Sequence, residues 1–583
     1  MAAYQMRQMS AREQQIVDES LREFNQLNTW RVTFAAQWEE AAQLILPTSR
    51  NTFVYGDFNW QGQKKTDRQI DASGMVALAR FSAICDSLLT PKNMKWHGLS
   101  ADDEYVMKDR PTRLWFEQVT NLLFKYRYQP IANFTSQNLM NYQQLGAFGN
   151  LGMFIDEFDN TNYQGLRGIR YKAIPMGELF FKENHQGVVD GICRWFKLTA
   201  RQAWQKWGEM GTFPENLRPA LMQGSEYPYN FLHRICPRDD YDPDRLDDKG
   251  KPFASYYISM EGRTLLSEGG YRMLPVAVGR FEQTPGEVYG RGPAQQVLPA
   301  LKTLNAEKGT FLKQGHRAAD PVLLTSDDGV VDMSLRPGAV NKGGWSSDGK
   351  PLVGVLPTGN IQVTKEMMDE ERALINDTFF VSLFQLALNL KDLPQMTATQ
   401  VIEIMNQKSI LIAPTIGNQE SQYIGPMIER ELDVLASQGL LPPMPPRLRE
   451  AKGAYKVQFA SPLARSIRSG EASGFMRTVE ISKEIVSITG DHSYLDWAAF
   501  DRAMPDIAEI QSVPESWTAT DDEIATKRKI RAQMQERQQE VQEAPAKAAV
   551  MKAQAAIQKA GQSVPPGQSP AAGGQPLQEQ VAA

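Results

Sequence analysis

This chain is poor in the groups from which active sites are usually built. It has three cysteines (Cys85, Cys193, Cys236) and five histidines in 583 residues. The cysteines lie far apart, which excludes a disulfide framework and fits buried thiols in a reducing compartment. His97, His185, His233, His316 and His492 show none of the short spacings that zinc requires. No apolar run approaches the ~20 residues of a membrane span. The polar, charged stretch Met1 to Ser20 lacks the apolar core of a secretory signal. Basic residues are not in excess either. With 63 Lys and Arg against 68 Asp and Glu, the net charge is −5. Tight wrapping of nucleic acid demands a basic surface, so that is excluded, but a surface along which nucleic acid slides is not.

Catalytic motifs are missing too. Gly344-Trp345-Ser346-Ser347-Asp348-Gly349-Lys350 matches seven positions of a phosphate-binding loop, but Pro351 stands where Mg²⁺ coordination needs Ser or Thr. No strongly apolar strand precedes it, so it reads as a Gly-rich surface loop. There is no Gly-x-Ser-x-Gly elbow. The carboxylates Asp239, Asp240, Asp242 and Asp244 sit among prolines and basic residues and read as a solvated loop. We expect no catalytic residue, no metal, no cofactor and no enzyme activity.

What is present is architecture. A chain of 65.5 kDa exceeds a single core, so several domains are expected. The fold class reads as α+β, mainly helical. Apolar spacing of three and four predicts helices over 11–46, 72–89, 112–126 and 131–148. Short alternating runs over 151–198 and 254–283 read as strands, with short helices at 199–208 and 215–223 between them. Pro293 opens a helix with Val297, Leu301, Leu304 and Phe311 on one stripe, and Pro299 is a candidate kink. A Gly/Pro-rich excursion over about 317–362 holds short strands at 322–324 and 352–356. A second helix runs from Thr364 to about Leu388, and a loop covers 389–396. Thr397-Ala398-Thr399-Gln400 is a capping box that starts a third helix reaching Leu435. A strand at 455–460 and helices at 466–489 and 495–510 follow. A mixed-charge helical run over 521–539 then gives way to a Gln/Ala/Pro-rich tail.

Two helices flanking a compact excursion, then a loop and a long helix, suit a subunit that lines a channel. The chain resembles the head-to-tail connector, or portal, family of short-tailed bacteriophages. The likeness is carried by Trp30-Arg31, Ile45-Leu46-Pro47 and Leu88-Leu89-Thr90-Pro91 before Trp96. It continues with Tyr289-Gly290-Arg291-Gly292-Pro293 running into Leu298-Pro299-Ala300-Leu301-Lys302-Thr303-Leu304-Asn305. Thr397-Ala398-Thr399-Gln400-Val401, Ser461-Pro462-Leu463-Ala464-Arg465 and Val513-Pro514 complete it in the family's order. The 199–250 region and the final ~40 residues are the least family-like.

The resemblance implies a portal fold: a wing over 1–292, stem helices over 293–316 and 363–388, and a clip over 317–362. It further implies a channel loop over 389–396, a long wing helix over 397–453, a crown over 454–535 and a tail over 536–583, disordered or partly helical. It implies a homo-oligomer, usually a dodecameric ring, at one capsid vertex of the virion, assembled in the host bacterial cytoplasm. Its implied partners are the major capsid and scaffolding proteins, the terminase large subunit, tail adaptor or tube proteins, and double-stranded DNA held without sequence preference. Asn389, Lys391 and Gln395 are the candidates nearest the DNA. Arg336, Lys342, Trp345 and Lys350 are the candidates for docking at the clip. Val297, Leu301, Leu304, Phe379 and Leu383 are expected to pack the stem, with neighbouring subunits covering the apolar stripe that includes Phe380 and Phe384. The alternatives are another virion structural protein, such as a tail adaptor or tube, and a DNA-packaging ATPase.

Overall fold

A computed structural model describes residues 9–53, 65–107, 109–158, 167–208, 210–325, most of 334–382, most of 414–459, 462–491, scattered positions to 519, and 521–561. The chain divides into two units, Met1–Gln511 and Ser512–Ala583.

The first unit begins with helix Ala11–Leu44, which is fixed at its start by a reciprocal cap. Ser10 Oγ accepts from Glu13 N at 3.2 Å and Glu13 Oε2 accepts from Ser10 N at 2.7 Å. Its two halves serve different cores. Ile16, Val17, Phe24 and Leu27 pack with Phe180, Cys193, Leu232 and Ile258, whereas Trp38, Ala41, Ala42 and Ile45 enter the main core. Helices Ser73–Leu89, Arg110–Arg127 and Phe134–Phe148 join that core through Leu78, Phe81, Phe116, Leu123, Tyr142 and Phe148.

Two antiparallel sheets follow. In the first, β2 (Asn150–Glu157) lies between β3 (Ile169–Ala173) and β9 (Val276–Arg280). β3 alternates: Ile169, Tyr171 and Ala173 point inward, and Arg170 and Lys172 point out. The second sheet is a five-stranded meander in the order β4 (Leu179–Glu183), β5 (Val189–Thr199), β6 (Pro228–Pro237), β7 (Phe253–Ser259) and β8 (Thr264–Tyr271). Its central strand, β6, falls in the stretch that the sequence left without a strand. Pro at each end and the polar Asn230, His233 and Arg234 hide its period, yet Phe231, Leu232 and Ile235 are buried. A further ladder joins β1 (His97–Ala101) to β12 (Tyr455–Phe459), with His97 opposite Phe459 and Ala101 opposite Tyr455. The strand that opens the 454–535 segment is thus built into the N-terminal part of the fold.

Helix Gly425–Ser437 is bound to that part by a buried ion pair. Arg127 Nε donates to Glu431 Oε1 at 3.0 Å and its Nη2 bonds Glu431 Oε2; both side chains are fully buried. Tyr171 donates to Glu431 Oε1 at 2.7 Å, and the guanidinium lies 4.5 Å from the Trp96 ring centre. His97 Nε2 is 2.9 Å from Arg127 Nη1. Burial, and then the Arg127 charge, hold its imidazole pKa well below the usual range, so His97 is neutral. Just before this helix the backbone widens into a π turn over Glu420–Ile424. Pro426 has no N–H to offer Gln422, which removes one α-type bond there. Instead Gly425 comes close to Glu420 O, five residues back.

The second unit contains helix Asp521–Gly561. The sequence reading ended this helical run at Gln539; the helix runs on to Gly561 despite Pro545 because Ala, Gln and Lys are strong helix formers. Its described side chains, among them Ile524, Ile530 and Met534, are exposed.

Removing one partner of the buried pair leaves an uncompensated charge. Arg127→Met should therefore destabilise the first unit by about 3–5 kcal/mol, read as the denaturant midpoint, with the double variant Arg127→Met/Glu431→Leu recovering much of the loss.

Candidate functional site

The segment Tyr289-Gly290-Arg291-Gly292-Pro293 aims the chain out of the body. It lies directly on the turn after helix Phe134–Phe148, where Gly149 adopts φ +74°. A Cβ on Gly149 would sit 2.4 Å from both Arg291 C and Gly292 N; one on Gly292 would sit 2.6 Å from Gly149 N. Backbone meets backbone here, and only glycine allows it. Asn150 clamps the contact, its Oδ1 accepting from Gly290 N at 2.8 Å and its Nδ2 donating to Gly290 O at 3.0 Å. Tyr289 enters an aromatic cluster, with ring centres 4.5 Å from Phe181, 5.3 Å from Trp38 and 5.4 Å from Phe34.

From this anchor the chain leaves as a short helix, Pro293–Gln296, and then as helix Leu298–Ala319, the outgoing helix. The single helix expected over 293–316 is broken at Val297 because Pro299 cannot continue the ladder and opens a new helix. The chain returns as helix Ile361–Thr378. Two ties set the antiparallel register. Near the base, Asn305 Oδ1 accepts from Ile70 N at 2.7 Å and Asp71 N at 3.2 Å, while Arg372 of the returning helix pairs with Asp71 at 3.0 Å. Farther out, Thr364 Oγ1 bonds Gln314 Oε1 at 3.0 Å.

The returning helix ends ten residues earlier than the sequence reading placed it. Phe380 has φ +58°, and Phe380 N donates to Asp377 O at 2.9 Å. Successive helical residues point about 100° apart; the turn instead lets two successive rings face the core. Phe379 lies 5.9 Å from Phe81 and Phe380 lies 6.4 Å from Phe281. A non-glycine residue in this conformation costs about 1–2 kcal/mol, which that packing offsets.

Val297, Leu301, Leu304 and Phe379 are buried within their own chain, and a Leu301 methyl rests on Gly74. The base of the helix pair is inserted into the body, so a neighbouring copy is not needed to cover it. Leu383 and Phe384 lie outside the described residues, as do the DNA candidates Asn389, Lys391 and Gln395. The apolar residues left bare on the returning helix are different ones. Val363, Met367 and Leu374 are 49%, 50% and 52% exposed, and spacings of four and seven place them on one face.

Between the two helices, β10 (Leu323–Thr325) pairs with β11 (Val353–Val355). Beyond them Trp345 bridges to Pro351, and Ser346 N donates to Lys350 O at 2.8 Å. Gly349, at φ +73°, donates to Ser346 O at 3.0 Å. The stretch resembling a phosphate loop is therefore a tight turn. Trp345 is 69% exposed, and Arg336, Lys342 and Lys350 are exposed beside it in the sequence.

No group of three or more possible metal ligands occurs among the described residues. The arrangement holds an exposed hairpin away from the body on two anchored helices, which is a geometry for assembly.

The family described as "Bacteriophage head to tail connecting protein" matches residues 17–519. The chain belongs to this family. It is similar to the "Probable portal protein" of Bordetella phage BPP-1, 26% identical over 534 residues covering 89% of this chain and 92% of the relative. It is also similar to the "Portal protein" of Salmonella phage epsilon15, 25% identical over 525 residues covering 88% and 90%.

Gly292→Ala forces a methyl against the Gly149 backbone and should lower the unfolding midpoint by the equivalent of about 1–3 kcal/mol. Gly315→Ala, with open space around it on the outgoing helix, should raise stability by about 0.5–1 kcal/mol. Urea melts of the two variants check both signs.

Proposed function

We propose that this chain is a portal subunit. Copies close into a ring at one capsid vertex, double-stranded DNA enters the head through the ring and later leaves through it, and the ring docks the terminase motor and then the tail. Family membership over residues 17–519 supports the reading, as do relatives named portal proteins that cover about nine-tenths of the chain. The observation that carries it is the bare apolar face of Val363, Met367 and Leu374 on a helix whose adjoining face, with Met368 and Ile375, is anchored in its own body. A helix with a second apolar stripe calls for a partner along its length, and identical neighbours in a closed ring provide one for every copy.

In this reading the outgoing and returning helices form the stem, the β10–β11 hairpin with its Trp345 turn forms the clip, and 389–396 forms the channel loop. The body before Gly292 is the wing and the segment from 454 is the crown. Trp345, Arg336, Lys342 and Lys350 are the docking candidates; an exposed aromatic with basic neighbours makes a reasonable interface anchor. The net charge of −5 suits a lumen that passes DNA. Each phosphate-neutralising contact steepens the salt dependence of binding by ~0.9, and a ring multiplies every lining cation by its copy number. The role is structural, in the virion, with the chemical work left to the motor.

Solution mass tests this. Twelve copies of a 65.5 kDa chain give about 790 kDa, and a stable monomer at micromolar concentration contradicts the reading. Met367→Glu/Leu374→Glu should leave the monomer's melting unchanged. Each buried apolar side chain is worth about 1.5–3 kcal/mol, so the pair should raise the concentration needed for assembly about a hundredfold or more.

A further inference from the structure

The seam between the outgoing and returning helices contains an unusual layer. The Gln314–Thr364 hydrogen bond fixes the register. Going seven residues back along one helix and seven forward along the other brings Glu307 opposite Glu371. The layers on either side are apolar: the same register sets Phe311 against Met368 and Leu304 against Ile375, and Leu304, Met368 and Ile375 are buried. Spacings of three and four make this an antiparallel coiled-coil-like seam. One of its layers consists of two acids.

Both Glu307 Oε2 and Glu371 Oε2 are shielded from solvent and have no hydrogen-bond donor among the described residues. The cations nearby are committed elsewhere. Arg372 is held by Asp71, Asp369 and Ser73 Oγ. Lys302 pairs with Glu40, and Lys308 lies over the Phe311 ring. On the segment beneath, Lys65 donates to the carbonyls of Thr48 and Arg50, and Arg68 to Gln43. Arg80, on the packed helix Ser73–Leu89, is exposed. Two carboxylates that face each other across such a layer cannot both ionise cheaply. A proton placed between them turns two orphaned acceptors into a donor and an acceptor.

We propose that Glu307 and Glu371 share one proton across the seam, so that the helix pair is held by a carboxyl–carboxylate hydrogen bond that loosens when the proton is lost. The carboxyl of Glu307 titrates above the usual range, first because it is withdrawn from water and then because Glu371 is charged. The sign follows. A carboxyl with a raised pKa in the folded state contributes stability below its unfolded pKa, and that stability is lost as pH rises through the folded pKa. Two like charges then face each other in the seam. The pairing lies within one chain and does not depend on ring formation.

Infrared difference spectra of the full-length protein near pH 6, where exposed carboxyls are ionised, read the proton directly. A protonated-carboxyl band should be present and should vanish in both Glu307→Gln and Glu371→Gln. The thermal midpoint of either variant should exceed that of the parent at pH 8, by about 1–3 °C, with the gain shrinking toward pH 5. If no such band exists at pH 6, or if both variants melt below the parent at every pH, the two acids share no proton and the proposal fails.

Discussion

Backbone pressed on backbone, with no room for a single β-carbon, is the constraint from which the rest of this structure follows. At Gly149 and Gly292 two loops from different parts of the chain touch within van der Waals distance. Asn150 clamps the neighbouring Gly290, and Tyr289 before it is held in an aromatic cluster. The outgoing helix starts five residues after Pro293 and inherits its direction from that contact. The base ties at Asn305 and Arg372 then keep both helices in line with the body. A hairpin at the end of two helices is useful for assembly only if the helices point the same way in every copy. Stiffness at the root provides that.

The same logic accounts for the buried charge between Arg127 and Glu431. A fully buried ion pair is weak evidence for stability because desolvating two charges offsets most of their attraction. It does impose a unique alignment: Glu431 must meet Arg127 and Tyr171 together, and this fixes helix Gly425–Ser437 on the N-terminal elements. Hydrophobic packing alone would tolerate sliding. The helix pair shows a related contrast. Its base is apolar and closed within the chain, and its outer part is mixed, with Gln314–Thr364 and Glu307–Glu371 layers and a bare apolar flank. Cover from within the chain decreases along the pair, from the buried Phe379, Ile375 and Leu304 at the base to the half-buried Gln314 and Thr364 farther out.

Much of this was legible in the sequence wherever local rules decide. Apolar spacing of three and four places the first helix over 11–46, and its expected end stands two residues from Leu44. The second helix, expected over 72–89, is Ser73–Leu89. The hairpin strands lie within a residue of their expected places because Gly and Pro punctuate them. Where tertiary contacts override local preference, the sequence was silent or misleading. β6 is central in its sheet, yet its polar residues and flanking prolines read as loop. The returning helix stops at Thr378 because Phe379 and Phe380 both turn to Phe81 and Phe281, partners about 300 and 100 residues away by number. Val297, Leu301, Leu304 and Phe379, expected to pack the stem, are buried by their own body. Val363, Met367 and Leu374 are the apolar residues left exposed on the returning helix, Met367 and Leu374 one position before the buried Met368 and Ile375. Periodicity shows that a face is apolar but not which surface covers it. The partners of Arg127 and Arg372 lie some 300 residues away, a distance at which spacing carries no signal.

The central claim is that many copies meet along the outer faces of the returning helices around an open lumen. Electron microscopy of the purified full-length protein tests this most directly. The account predicts closed rings in which Val363, Met367 and Leu374 of each copy face a neighbour and the helix pairs surround a hole wide enough for duplex DNA. Separate particles of one chain, or a ring joined through other surfaces with Val363, Met367 and Leu374 facing solvent, would contradict it.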